Sequence, residues 1–140
     1  DTNLSVNLIV ANSMPRTTYA SVRVTSVVPP SLTPSEANGI SGDDFNEVFM
    51  PLMKEITKQI ISKQGRKVLD FYSFSRKKIS GHPAFVTNYS RTGPKGPVVA
   101  ESMQIFTSSQ EVQVSLAYRE SEGDRWLPTI RGMRNSITIN

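Results

Sequence analysis

Between residues 111 and 137 the period of the apolar pattern changes once. Val112, Val114, Leu116 and Tyr118 alternate with polar neighbours, whereas Trp126, Leu127, Ile130, Met133 and Ile137 recur at spacings of three and four. Period two puts apolar side chains on one face of a strand, and the longer period puts them on one stripe of a helix. A strand running into an amphipathic helix must bury both surfaces, so this ending predicts a helix lying on a sheet. Ser121, with Asp124 three residues later, predicts the start of that helix: a capping-box spacing with negative charge at the positive end of the helix dipole. Nothing in this ending is suited to making or breaking bonds.

The same alternation runs upstream. Strands are predicted over residues 68–79, 82–91, 97–106 and 111–118, separated by Ser80-Gly81, by Gly93-Pro94-Lys95-Gly96 and by Ser108-Ser109-Gln110. Short turns between alternating segments make an antiparallel meander. Before it, Asp43 and Asp44 open a helix with one broad buried face, made of Phe45, Val48, Phe49, Leu52, Met53, Ile56, Ile60 and Ile61, which ends near Gly65. Pro51 predicts a kink, or a separate short turn before it, because proline removes a helix hydrogen bond and crowds the preceding turn. Leu4, Val6, Leu8 and Val10, then Ala20, Val22, Val24, Ser26 and Val28 after a turn at Asn12-Ser13-Met14-Pro15, predict two more strands, paired antiparallel. Pro29-Pro30 ends the second, and residues 31–42 read as the longest irregular segment. The resulting class is α+β, helices covering an antiparallel sheet, in one domain over residues 1–140.

Composition narrows the function more by exclusion than by assignment. A chain of 140 residues buries a core without help from metal or disulfides. No apolar run approaches the roughly 20 residues of a membrane span. With no cysteine, thiol catalysis and thiolate metal sites are excluded, while an envelope and a cytosolic location stay open. The net charge of +4 is thinly spread. Its densest cluster, Arg76-Lys77-Lys78 with Lys63, Arg66 and Lys67 nearby, reads as a solvated strand face, and without a basic helical stripe no nucleic-acid partner is expected. Because the chain starts at Asp1 and not at methionine, an upstream segment such as a signal peptide or lipid-anchor sequence is expected to have been removed.

No catalytic, cofactor-binding or metal-binding residue is expected. His82 is the sole histidine and sits at a turn, so a serine–histidine–acid arrangement would have to run through it. Asp43, Asp44, Glu47, Glu120, Glu122 and Asp124 cluster at helix starts, where the dipole already accounts for them. The segment Gly93 to Pro97 lacks the Gly-Lys-Ser/Thr ending of a phosphate loop and leads into a strand, so it is a hairpin tip. Trp126 is expected in the core, with Tyr72, Tyr89 and Tyr118 as an alternative polar-aromatic pocket. A cleft between a helix and the sheet is a further place for a lipid or peptide. Partner contacts are assigned to the two loops, with Thr33, Asn38 and Lys95 as their named residues.

Gly81-His82-Pro83-Ala84 after a strand, the hairpin through Gly93 to Gly96, the strand ending Leu116-Ala117-Tyr118, and the closing Trp126-Leu127-Pro128 through Asn135-Ser136-Ile137 together resemble the PsbP/Mog-type α/β/α sandwich family, including its bacterial envelope members. The resemblance covers about residues 40–140 and is looser before them. It implies a noncatalytic module, since members serve as photosystem subunits of the thylakoid lumen, a nuclear Ran-binding factor, periplasmic or lipid-anchored bacterial proteins, and adaptor chaperones of secreted effectors. The acidic Ran-binding surface is not matched by this basic chain. The expectation is therefore a binding or structural module of an exported bacterial protein, in the periplasm or cell envelope. Another protein is its partner, a small apolar ligand is the second choice, and no cofactor is required. The alternatives are a cytosolic adaptor chaperone, suggested by Met50 and Met53 on the first helix, and a hydrolase using His82.

Overall fold

The computed structural model describes residues 4–5 and 20–139; Val6, Leu8 and Val10 and the turn at Asn12 to Pro15 lie outside the described residues. Strands β1 (Leu4–Ser5), β2 (Ala20–Val28), β3 (Val68–Ile79), β4 (His82–Arg91), β5 (Val98–Phe106), β6 (Glu111–Arg119) and β7 (Thr138–Ile139) combine with helices α1 (Pro34–Gly39), α2 (Gly42–Asp44), α3 (Met50–Lys63) and α4 (Gly123–Ser136). The main sheet has five strands in the order β2-β6-β5-β4-β3, and β1 and β7 make a separate two-stranded pair. All pairings are antiparallel. The meander is as the sequence predicts, β3 to β6 pairing in succession. Its first turn, Ser80 at φ 53° and Gly81 at φ 77°, has two left-handed residues, the two-residue hairpin geometry that matches strand twist.

Register sorts the side chains onto two faces. Ala84, Ile105 and Val112 form one row across β4, β5 and β6, and Val86, Met103 and Val114 form the next. This face packs under Trp126, Ile130, Met133 and Ile137 of the α4 region, with Ile79 and Ile139 at its margin. Trp126 is 3% exposed. The opposite face carries two separate clusters. At one end Phe85 and Phe106 meet Ala37 and Phe45, with Phe49, Met50 and Met53 packed against them. At the other, Ile61 meets Tyr89, Ala100 and Ala117. The result is a helix–sheet–helix sandwich.

Several expectations are corrected. Residues 31–42 are not an irregular segment: α1 occupies Pro34–Gly39. Its signal is Thr33-Pro34-Ser35-Glu36, in which the Thr33 hydroxyl accepts from the Glu36 N–H at 3.1 Å and proline fills the first turn, where its missing N–H costs nothing. The first two strands are not partners where described. Leu4–Ser5 pairs with Thr138–Ile139, and β2 lies along β6, with a bulge between Val24 and Ser26. Ser121 does not cap α4. A 3₁₀ turn spans Glu120–Glu122, and Glu122 takes the cap position without a side-chain cap bond. Its carboxylate meets Arg119 at 2.7 Å and accepts from the Trp126 indole at 3.4 Å.

The break before Pro51 is a π-helical turn over Phe45–Phe49, closed by a Met50 N–H bond to the Phe45 carbonyl. The broad buried face of the first helix is only half realised. Phe45 and Ile61 are buried, but Val48, Leu52, Ile56 and Ile60 form an exposed row, from 43% to 56% accessible. At its far end the helix stops as predicted. Gly65 adopts φ 73°, and the Gly65 and Arg66 N–H groups bond back to the carbonyls of Ser62 and Ile61, a Schellman closure.

Two measurements check this packing. Trp126→Ala should lower unfolding free energy by about 3–5 kcal/mol, as expected for a buried tryptophan in a close-packed core, read from denaturant midpoints. Gly65→Ala should lower it by about 1 kcal/mol, because a Cβ disfavours the left-handed conformation although nothing crowds it.

Candidate functional site: a cleft between α3 and the sheet

On the face away from α4, the side chains of β5 and β6 are small in two neighbouring rows. One row reads Tyr89, Ala100, Ala117, Ser21 across β4, β5, β6 and β2, and the next reads Thr87, Ser102, Ser115, Arg23. Helix α3 crosses above, held at one end by Phe45 and Phe85 and at the other by Ile61 and Tyr89. Beyond the contact of Ile61 with Ala100 and Ala117, the small side chains leave a cleft of about 520 Å³ beside the helix. This lies within the roughly 300–1,000 Å³ typical of small-ligand sites.

Three elements supply its cations. Arg23 stands on β2 opposite Ser115, Arg66 follows the Schellman closure of α3, and Arg91 ends β4. All three line the cleft, and no aspartate or glutamate does so among the described residues. Arg91 is buried, with its Nη1 donating to the Thr92 carbonyl at 3.1 Å. Ile60, Ile61 and Val24 add apolar surface.

The opposite face is built differently. Buried Glu101 accepts from Arg134 at 3.1 and 3.3 Å, so a cation and an anion meet within the packed layer. The neighbouring crevice under α4 measures about 190 Å³. It includes Tyr118, whose pKa is raised mainly by burial, with Arg131 opposing and Glu120 adding to the shift.

The residues singled out from the sequence do not converge. Thr33 and Asn38 sit on the exposed side of α1, at the sheet end where Ala37 packs on Phe85 and Phe106. Lys95 is exposed on the turn joining Arg91 to Val98, at the other end. The Thr33 hydroxyl is already engaged as a cap. Tyr89 faces the α3 layer and Tyr118 the α4 layer, so the three tyrosines form no common pocket. The His82 Nε2 lies 3.3 Å from the Ile139 carbonyl, and Ser80 accepts from the Ile139 N–H at 3.0 Å. That turn therefore fastens β7. No group of three metal-binding side chains occurs among the described residues.

Arg23, Arg66 and Arg91 were not legible as a site, because they are far apart in sequence and only strand register joins them. A signal for the cleft did exist. Ser115 and Ala117 of β6 and Ala100 and Ser102 of β5 are all small, and a covered sheet face made of small residues leaves space.

No family model and no curated protein matches this chain. Among solved structures, cyanobacterial PsbP (CyanoP) from Synechocystis superposes with a TM-score of 0.52 at 14% identity, covering 99% of this chain and 82% of its own. LpqN of Mycobacterium tuberculosis, a protein involved in cell envelope biogenesis, gives a TM-score of 0.43 at 9% identity, covering 99% of this chain and 91% of its own. A five-stranded antiparallel sheet built on a meander, with one helix layer on each face and near-complete superposition on CyanoP, places this chain in the PsbP-like fold.

Proposed function

We propose that this chain is a noncatalytic binding module acting in the bacterial cell envelope, and that its binding surface is the cleft between α3 and the sheet. The observation carrying this reading is the open space itself. Under α4 the sheet packs on Trp126, Ile130 and Met133, yet over Ala100, Ala117, Ser102 and Ser115 a helix spans the sheet without filling the gap. Filling it with larger apolar residues would add buried surface and stability, so small residues there favour a function over a packing role. The cleft lining joins hydroxyl, amide and guanidinium groups to apolar walls, the mixture that orients small ligands. It offers no histidine or carboxylate among the described residues to serve as a base.

The envelope location is supported by the family resemblance of the sequence. No helix among the described residues is long and apolar enough to cross a membrane. Asn38 and Lys95, both exposed, are proposed as secondary contacts with a protein partner, one at each end of the sheet.

The cleft reading is tested with an uncharged fluorescent reporter of apolar sites, N-phenylnaphthylamine. It should bind the native chain and lose its enhancement in Ser115→Trp, in which an indole fills the cleft, with an unfolding midpoint close to native. Unchanged enhancement in a folded Ser115→Trp variant would place binding elsewhere. Fractionation of source cells should recover the chain with the envelope, and recovery in the cytosol would overturn the proposed location.

A further inference from the structure

Resting on that reading of the cleft, we propose that its ligand is a small organic anion: an acid group, carboxylate, phosphate or sulfonate, on a partly apolar body. Three guanidinium groups from β2, the α3–β3 turn and β4 line one cavity, and no carboxylate lines it among the described residues. Guanidinium stays charged at all working pH and presents a planar fork of donors that matches acid oxygens.

The other lining groups fit the same ligand. Ser102 and Ser115 on the floor supply hydroxyl donors, while Ile60 and Ile61 offer an apolar wall. A bare inorganic ion would leave most of about 520 Å³ unfilled. A folded macromolecule would not enter it.

A matched pair of probes tests the proposal. Anilinonaphthalene sulfonate and N-phenylnaphthylamine share one ring system and differ by the sulfonate. The sulfonate should bind at least about tenfold more tightly at low ionic strength, as one charge-assisted pairing implies, and lose that advantage as salt is raised. Arg23→Gln and Arg66→Gln alter exposed and half-exposed side chains. Each should reduce the advantage, and the double variant should abolish it with the unfolding midpoint retained. Arg125→Gln, on α4 beside Trp126, should change nothing. Monomeric octyl phosphate should displace the sulfonate, and octanol should not.

The outcomes separate the two levels of the reading. Equal binding of both probes, abolished by Ser115→Trp, would overturn the anion preference and leave the cleft as the site. Binding of both that is indifferent to Ser115→Trp would remove the cleft itself. Displacement by phosphatidylglycerol vesicles but not by octyl phosphate would assign the anion to a bilayer surface and overturn the small-ligand proposal. Inorganic phosphate displacing as well as octyl phosphate would overturn the apolar body.

Discussion

The antiparallel register of β5 on β6 is the constraint on which the rest of the molecule depends. It sets Met103 beside Val114 and Ile105 beside Val112 on one side, and Ala100 beside Ala117 and Ser102 beside Ser115 on the other. A slip of one residue would exchange the two faces completely, since side chains alternate with period two. The large aliphatic residues then make one face a core that only a helix can cover. The small residues make the other a floor that a helix crosses without filling the space above it. Fold and cleft are consequences of the same pairing.

Legibility followed the range of the interactions. The meander could be read because each turn is local: Ser80 and Gly81 provide two left-handed residues between alternating runs. The end of α3 at Gly65 and the break before Pro51 are local in the same way. The corrected elements each had a competing local signal. Thr33-Pro34-Ser35-Glu36 is a helix start, but Pro30, Pro34, Gly39 and Gly42 around it gave the composition of a loop. At α4, Ser121 had the capping spacing, yet Arg119 and the Trp126 indole draw on the Glu122 carboxylate and the chain enters through a 3₁₀ turn instead.

The exposed row on α3 shows the limit of periodicity as a guide. Its apolar residues span more than half the helix circumference, and the pattern does not say which of them meets the sheet. The aromatic residues decide it. Phe45 and Phe49 lie edge-on to the Phe85 ring, at 5.4 and 5.7 Å between centroids, and Lys54 lies over Phe71 and Phe74 on β3. These contacts fix the rotation of the helix about its axis and turn Val48, Leu52 and Ile56 outward. The three arginines of the cleft are further from view still, because they come together only after the sheet has formed and the helix has been set upon it.

Anchoring α3 at both ends also bears on how the cleft works. The aromatic cluster fixes the helix start, and Ile61 with the Schellman closure fixes its finish, while between them Met53 approaches Thr87 at 4.0 Å. A helix pinned twice cannot tilt down onto the small residues without breaking one cluster, so the gap persists without a ligand inside it. A site already open before binding avoids the cost of ordering loops or side chains around its occupant. Two of the arginines share that rigidity, Arg91 within a central strand and Arg66 within the hydrogen-bonded helix closure. Arg23 stands on the edge strand β2, at the open margin of the same cavity. An acid group bound there would meet Arg66, held in place by the helix closure, and Arg23 at the margin where it enters.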